Sequence, residues 1–249
     1  MPYDYGSNSA SEMALRATLP VFVNSFEQLT YLRDTVCWFA RNGFADITVI
    51  EQGSTYEPLQ DWLASCEFSK IARLWRLGKN VGPRRAVRKA SARVGAGKPF
   101  VFTDPDLDLP EPAAPDFLTR LFALGQAYGV AKVGLALDLS DAEKINLSHP
   151  IGHGETVGSY FRNFYDTPLE PQVWRANTDT TLFLHVPQPN LPDFGILQSQ
   201  PRIPGVRIGG AGFVAGHRPW YFDNGMPSQE ELHYRSRTTM ASTFFGRPE

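Results

Sequence analysis

The sequence predicts an α/β fold in which helices flank a mixed, mostly parallel sheet, and three observations predict it. Short β-branched or aromatic runs alternate with helix-period segments through the first 140 residues, the pattern of parallel strands joined by right-handed crossovers. The run Phe100–Thr103 leads straight into Asp104-Pro105-Asp106, whose carboxylates, spaced i, i+2, project from one side of an extended backbone. From about residue 138 the chain becomes rich in glycine, proline and aromatic residues, as loops carried on a rigid sheet often are.

Residues 19–24 (Leu-Pro-Val-Phe-Val-Asn) form the first strand. Ser25 and Gln28 then make a capping box for a helix in which Leu29, Leu32, Val36, Phe39 and Ala40 recur at helical spacing until Asn42-Gly43 ends it. Residues 47–50 are a second strand, 51–55 a loop, 58–65 a short helix and 71–77 a third strand. Gly82-Pro83 opens a basic helix reaching Val94, proline being suited to a first turn. A fourth strand at 100–103, a helix near 116–128 and a strand at 132–137 complete this half. Farther on, 180–186, 206–208 and 212–215 read as strands, with prolines at 187, 189, 192, 201 and 204 breaking what lies between.

A chain of 249 residues can bury one large core. Residues 1–17, rich in serine, tyrosine and glycine, are expected to be a flexible tail. Residues 18–249 are expected to be a single domain, 18–140 being its nucleotide-binding half by pattern and 141–249 a loop-rich C-terminal half that completes it. A hydrophobic content of 42% with 20% charged residues describes a soluble globular protein. The net charge of −2 argues against a nucleic-acid partner. No signal-peptide pattern opens the chain and no run approaches the ~20 apolar residues of a membrane span, so a cytoplasmic location is expected. Cys37 and Cys66 fit no metal or redox spacing and are expected to be reduced, buried thiols.

Clustered carboxylate oxygens at a strand end suit a hard divalent cation, and such a cation suits a diphosphate. Ligands of α/β proteins bind outside the carboxyl ends of the strands, where Asp104 and Asp106 stand. An EF-hand calcium loop is excluded, because its sixth and twelfth positions would be Leu109 and Pro115. Val23-Asn24 and the loop Glu51-Gln52-Gly53-Ser54-Thr55 would end on the same edge. Glu51 could accept hydrogen bonds from a base or ribose, Ser54 stands beside it, and Gly53 would let the backbone approach a ligand. Asn80-Val81-Gly82-Pro83-Arg84 offers backbone amides and a guanidinium fork to a phosphate. Arg88, Lys89, Arg93 and Lys98 continue that helix as a solvated face, or as a surface drawn to an anionic membrane or acceptor. His217 lies among glycines and just before Arg218-Pro219-Trp220-Tyr221, and imidazole suits Mn²⁺ better than Mg²⁺. Asp179 opens a strand beside two hydroxyl residues, where it could serve as a base or cap its own turn. Glu230 and Glu231 are a rival base pair, although they also read as the first turn of a final helix.

Taken in order, Val23-Asn24-Ser25, Glu51-Gln52-Gly53-Ser54-Thr55, Asn80-Val81-Gly82-Pro83-Arg84, Thr103-Asp104-Pro105-Asp106, Asp179-Thr180-Thr181 and Gly216-His217-Arg218-Pro219-Trp220-Tyr221 resemble the bacterial family 2-like glycosyltransferases of polysaccharide assembly. Those enzymes have the GT-A fold, a Rossmann-like sheet. The resemblance covers roughly residues 18–222. It implies a nucleoside-diphosphate sugar donor, Mn²⁺ or Mg²⁺ as cofactor, and a glycan or lipid-linked hydroxyl acceptor; peripheral contact at the inner face of the membrane is an expectation that rests on the basic helix. It implies too that Asp104 holds the ribose or the metal, that Asp106 and His217 bind the metal, and that Asp179 is the base or a holder of a donor-sugar hydroxyl. Two other readings stay open: a sugar-1-phosphate nucleotidyltransferase, whose Gly-x-Gly-Thr-Arg loop is here Val23-Asn24-Ser25-Phe26, and a non-catalytic nucleotide-sugar or glycan-binding module. The oligomeric state is left open.

Overall fold

A computed structural model describes residues 9–140, 143–152, 154–191 and 204–238. The first half runs α1 (Ser9–Thr18), β1 (Val21–Ser25), α2 (Leu29–Arg41), β2 (Ile47–Glu51), α3 (Glu57–Ala64), α4 (Cys66–Ile71), β3 (Arg73–Arg76), α5 (Pro83–Val94), β4 (Phe100–Thr103), β5 (Leu107–Asp108), α6 (Phe117–Tyr128) and β6 (Lys132–Leu137). The second half adds β7 (Pro150–Gly152), β8 (Glu155–Thr156), α7 (Val157–Arg162), β9 (Pro168–Glu170), β10 (Val173–Asn177), β11 (Phe183–His185), β12 (Pro204–Ile208), β13 (Val214–His217), a 3-10 turn (Arg218–Trp220) and α8 (Ser228–Arg237). Of the expected loop prolines, Pro192 and Pro201 lie outside the described residues.

Among the described residues one sheet crosses both halves in the order β3-β2-β1-β4-β11-β6-β12-β10-β9, with β13 continuing beside the end of β6 and β5 pairing with β13. All its strands run the same way except β11, β10 and β5. The mixed, mostly parallel sheet read from the sequence is therefore present, with one difference in its middle. β4 and β6 are not neighbours, because β11 inserts between them and runs antiparallel to both. That insertion brings residues 177–181, just before β11, to the same sheet edge as Asp104, whose amide donates to the Thr180 carbonyl at 2.9 Å.

The alternation of β1 divides the core. Val21 and Val23 pack with Leu32, Val36 and Phe39 of α2, whereas Phe22 packs with Ala86, Val87 and Ala90 of α5 and with Phe100 and Phe102. Parallel strands covered on both faces are apolar throughout, and all residues of β1, β2 and β4 are buried.

Three local expectations are corrected. Residues 9–18 are not a free tail but helix α1, packed on α6. Glu12 is buried and accepts from the amides of Leu118 and Thr119 at 3.0 and 2.8 Å, satisfying the open start of α6, while Arg16 pairs with it at 2.7 Å. Residues 1–8 lie outside the described ones. Second, Ser25 belongs to β1 and Gln28 makes no side-chain cap. The open amides of α2 are met instead by Glu230, to which Thr30 donates through N at 2.9 Å and Oγ1 at 2.7 Å. Third, Cys66 is exposed and Cys37 only half-buried, and both are free.

The α1 correction can be checked by substitution. Glu12→Ala removes a charged acceptor from two buried amides, and hydrogen bonds to charged groups are worth about 1.5–3 kcal/mol each. Urea unfolding should lose roughly 2–3 kcal/mol; a change within about 0.5 kcal/mol, the usual range for an unconstrained surface position, would restore the free tail.

Candidate active site

Four strand ends meet at one edge, and a cleft of about 230 Å³ opens there, lined among others by Asn24, Gln52, Asn80, Asp104, Asp106, Asp179, Thr180 and His217. Its floor is a chain of side-chain hydrogen bonds across three parallel strands. Val81 N and Gly82 N donate to Gln52 Oε1 at 2.7 and 3.1 Å, Gln52 Nε2 donates to Asn24 Oδ1, and Asn24 Nδ2 donates to Asp104 Oδ1 at 2.9 Å. Thr180 Oγ1 donates to the other oxygen of Asp104. Burial, with the charge of Asp106 adding to it, pushes the Asp104 carboxyl well above the ordinary carboxylate range, against the two hydrogen bonds that favour its ionised form.

Asp106 differs from Asp104. Its Oδ1 is buried with no hydrogen-bond partner among the described residues, and its Oδ2 lies 3.9 Å from Nε2 of His217. The pairing of β13 with β5, His217 opposite Leu107, brings the histidine to the acidic loop. Trp220 stacks on its ring at 3.9 Å between centroids. Burial lowers the His217 pKa, Asp106 opposing it, so the imidazole sits as a neutral ring, its ligand form. Asp106 Oδ1 and His217 Nδ1 are buried atoms left without a partner among the described residues, while Oδ2 and Nε2 face one another; a carboxylate and an imidazole so placed offer lone pairs to a cation. Among the described residues no three His, Cys, Asp or Glu side chains form a ready-made cage. Mg²⁺-type sites commonly need only one or two carboxylates, the rest being phosphate oxygens and water, and this donor set fits such an ion.

Opposite stands Asp179. Its Oδ1 accepts from Thr181 N at 3.0 Å, Thr181 Oγ1 at 2.7 Å and Arg207 Nη2 at 3.4 Å, and its Oδ2 accepts from the Tyr160 hydroxyl at 3.2 Å. Burial pushes its carboxyl up, but Arg207, the Thr181 bonds and Lys132 together outweigh that and hold it below the usual carboxylate value. The charge of Asp179, and burial after it, in turn pushes the Tyr160 phenol up.

Two buried basic side chains hold this wall in place. Arg207 in β12 is fully buried; it donates to Leu135 O at 2.7 Å, Asn177 O at 3.1 Å and Thr181 Oγ1 at 3.2 Å. Lys132 in β6 donates to the carbonyls of Thr178 and Asp179 and sits 4.0 Å over the ring of Phe183. Neither was singled out from the sequence. The available signal was a charge inside an apolar strand, Val206-Arg207-Ile208 and Ala131-Lys132-Val133, since such residues are almost never buried unpaired.

The structure thus brings Asn24, Asn80, Asp104, Asp106, Asp179 and His217 to one cleft and leaves other expected site residues off its lining. Glu51 is buried and committed to protein, accepting from Ser54 N at 2.5 Å and Arg76 Nη1 at 3.3 Å; Gln52, one residue on, faces the cleft in its place. Gly53 has φ +80, and a Cβ there would stand 2.9 Å from the Gly78 carbonyl, so its close approach is to protein backbone. Ser54 Oγ accepts from Glu27 N at 3.0 Å. Val23 is core, and the Gly82 amide already bonds Gln52 and Asn80, so it is not free for a phosphate. Arg84 is exposed on the first turn of α5. Glu230 caps α2, and Glu231 pairs with Arg235 at 2.7 Å, so neither is placed to act as a base. Phe26, Gln28 and Tyr234 line the cleft without having been foreseen.

No protein-family model matches the chain, and no curated protein matches it. Solved structures similar to it include GalNAc-T7 with UDP, GalNAc and Mn²⁺, at 13% identity and TM-score 0.46, covering 80% of this chain and 43% of that one. Another is glucosyl-3-phosphoglycerate synthase from Mycobacterium tuberculosis with Mn²⁺ and UDP-glucose, at 15% identity and TM-score 0.43, covering 99% of this chain and 86% of that one. A third is a glucose-1-phosphate thymidylyltransferase, so described as putative, from Bacillus anthracis, at 12% identity and TM-score 0.42, covering 73% and 74%. The chain spans less than half the length of the GalNAc-T7 chain. At TM-scores under 0.5 these are distant likenesses, and they carry no weight beside the side chains of the cleft.

The buried lysine gives a pH dependence with a definite sign. Burial, followed by the nearby charge of Asp179 in opposition, lowers the Lys132 pKa from 10.5 to about 7. Between those values the unfolded chain binds more protons than the folded one, so stability rises with pH. Urea unfolding from pH 7 to 9 should show an upward slope, at most about 1.4 kcal/mol per pH unit from this group. Lys132→Met should flatten it; an unchanged slope would place the ammonium, charged, in the fold.

Proposed function

We propose that the chain is a metal-dependent glycosyltransferase that moves a sugar from a nucleoside-diphosphate sugar to a hydroxyl acceptor in polysaccharide or glycoconjugate assembly. One observation carries this: the Asp106 carboxylate, its Oδ1 unsatisfied among the described residues, faces neutral His217 at the carboxyl end of a parallel sheet, inside a cleft that also holds Asp104, Asp179 and a set of amide and hydroxyl side chains. Asp106 and His217 would hold Mn²⁺ or Mg²⁺. Such an ion, when bound, neutralises charge on a departing diphosphate.

The chain's own residues supply binding and orientation. Asn24 and Thr180 fix Asp104 and leave it further lone pairs for a ribose hydroxyl. Gln52 and Asn80 present amides on the nucleoside side, where Phe26 and Tyr234 offer ring faces. Asp179 faces the sugar. A general base works best with a pKa near the operating pH, and Arg207 with Thr181 holds Asp179 below even the ordinary value. Its role is therefore to accept hydrogen bonds from donor-sugar hydroxyls.

Incubation with uridine, guanosine, thymidine and adenosine diphospho-sugars, followed by product separation, tests the reading. Release of one nucleoside diphosphate should require Mn²⁺ or Mg²⁺, stop on chelation and disappear in Asp106→Asn. Exchange of pyrophosphate in its place would mean a nucleotidyltransferase, and binding without product a recognition module. Asp179→Asn should mainly raise the donor KM. A fall of about 10²–10⁴-fold in kcat at unchanged KM, the usual range for losing an acid–base group, would make it the base.

A further inference from the structure

The segment from Phe68 to Thr103 holds ten of the chain's 24 lysines and arginines and none of its 26 acidic residues. The fold carries seven of these cations on or beside α5. Ala86, Val87 and Ala90 turn α5 into the sheet, and Arg84, Arg85, Arg88, Lys89 and Arg93 are exposed on its outer face. Lys98 follows on the next loop, while Lys79 precedes α5 and Lys70 ends α4, all three exposed. Arg73 and Arg76 of the edge strand β3 are paired with Asp46 and Glu51. The other eight have no ion pair among the described residues. Lys70 belongs to α4, which packs with α2 and α3 on the other side of the sheet; the remaining seven, in a protein of net charge −2, make a field of one sign around α5, the condition for attracting an extended anionic partner.

We propose that the outer face of α5, with Lys79 and Lys98, is a docking surface for an anionic phospholipid bilayer. The cations project from the outside of a helix about 18 Å long, not around a groove. Single-stranded nucleic acids and similar polymers are tracked by charged grooves with aromatic stacking platforms. The aromatic ring of this face, Trp75, is half-buried and covered by the Arg93 guanidinium at 4.6 Å. A broad field without a groove or a free ring suits a flat sheet of headgroups. The surface stands on charge and shape alone, whatever reaction the cleft performs. Because Pro83, the first residue of α5, lines that cleft, docking would also bring the cleft beside the bilayer, where a lipid-linked acceptor would be.

Co-sedimentation with vesicles of phosphatidylcholine alone, or of phosphatidylcholine with phosphatidylglycerol, tests it at 0.1 and 0.5 M salt. The full chain should bind the anionic vesicles at 0.1 M salt and release at 0.5 M, where screening shortens the range of the field, and should ignore phosphatidylcholine. Each surface cation contributes about 1 kcal/mol at such a membrane, so Arg88→Gln/Lys89→Gln/Lys98→Gln should weaken partitioning about a hundredfold. All three side chains are exposed, and the variant should keep the wild-type melting temperature and cleft turnover. No binding to anionic vesicles, equal binding to neutral ones, retention on soluble polyphosphate but not on vesicles, or undiminished binding by the folded triple variant would each overturn the proposal.

Discussion

Everything at the cleft depends on how Asp104 is held. Its carboxylate is fixed from both sides, by Asn24 of β1 and by Thr180 of the segment entering β11. Asn24 is fixed in turn by Gln52, and Gln52 by the amides that open α5. One hydrogen-bonded chain therefore sets the relative heights of β1, β2, β4 and the start of α5. It also confines the neighbouring acidic side chain, Asp106, to a place where its Oδ1 meets no donor among the described residues. An acceptor left unsatisfied costs about 1–3 kcal/mol or more when charged. Such a group persists where function retains it, and the histidine delivered by β13 stands at the same place.

The opposite wall obeys the same electrostatics with the sign reversed. Lys132 and Arg207 are buried inside strands; Lys132 donates to the carbonyls of Thr178 and Asp179, and Arg207 to those of Asn177 and Leu135. A buried cation is tolerated only when hydrogen-bonded and paired, so this segment is held by the Arg207 charge and by the hydrogen bonds of the Lys132 amine. Asp179 is the counter-charge, and Arg207 with the Thr181 hydrogen bonds holds its carboxyl below the ordinary value. The cleft thus has one carboxyl pushed up at Asp104, one held down at Asp179 and one unsatisfied at Asp106. Divergent carboxylates in one pocket divide roles among groups of the same kind.

Much of this was legible in the sequence. The alternation of periods gave the parallel half of the sheet, and the motif residues Asn24, Asn80, Asp104, Asp106, Asp179 and His217 do converge. What was not legible has physical causes. Pairing between distant strands leaves no local trace, so the antiparallel entry of β11 between β4 and β6 was hidden. The turn after β2 decides whether Glu51 or Gln52 faces the cleft, and a one-residue change in phase reverses which side a side chain takes. Glu230 caps a helix 200 residues away, and no local pattern reports that. By contrast, α1 was announced by the Glu12–Arg16 spacing of a helical ion pair and was obscured only by the polar, glycine-containing sequence that precedes it.

The central claim is that Asp106 and His217 bind a divalent ion together with a diphosphate. The most direct measurement is a thermal-shift panel of nucleoside diphosphates, with and without Mn²⁺, on the wild type and on Asp106→Ala. Ligand at a hundred times its Kd stabilises the native state by about 2.7 kcal/mol, a shift of several degrees for a single domain. The account predicts a shift for one nucleoside diphosphate that requires Mn²⁺ and vanishes in the variant. A flat panel, or a shift indifferent both to metal and to Asp106, would contradict it.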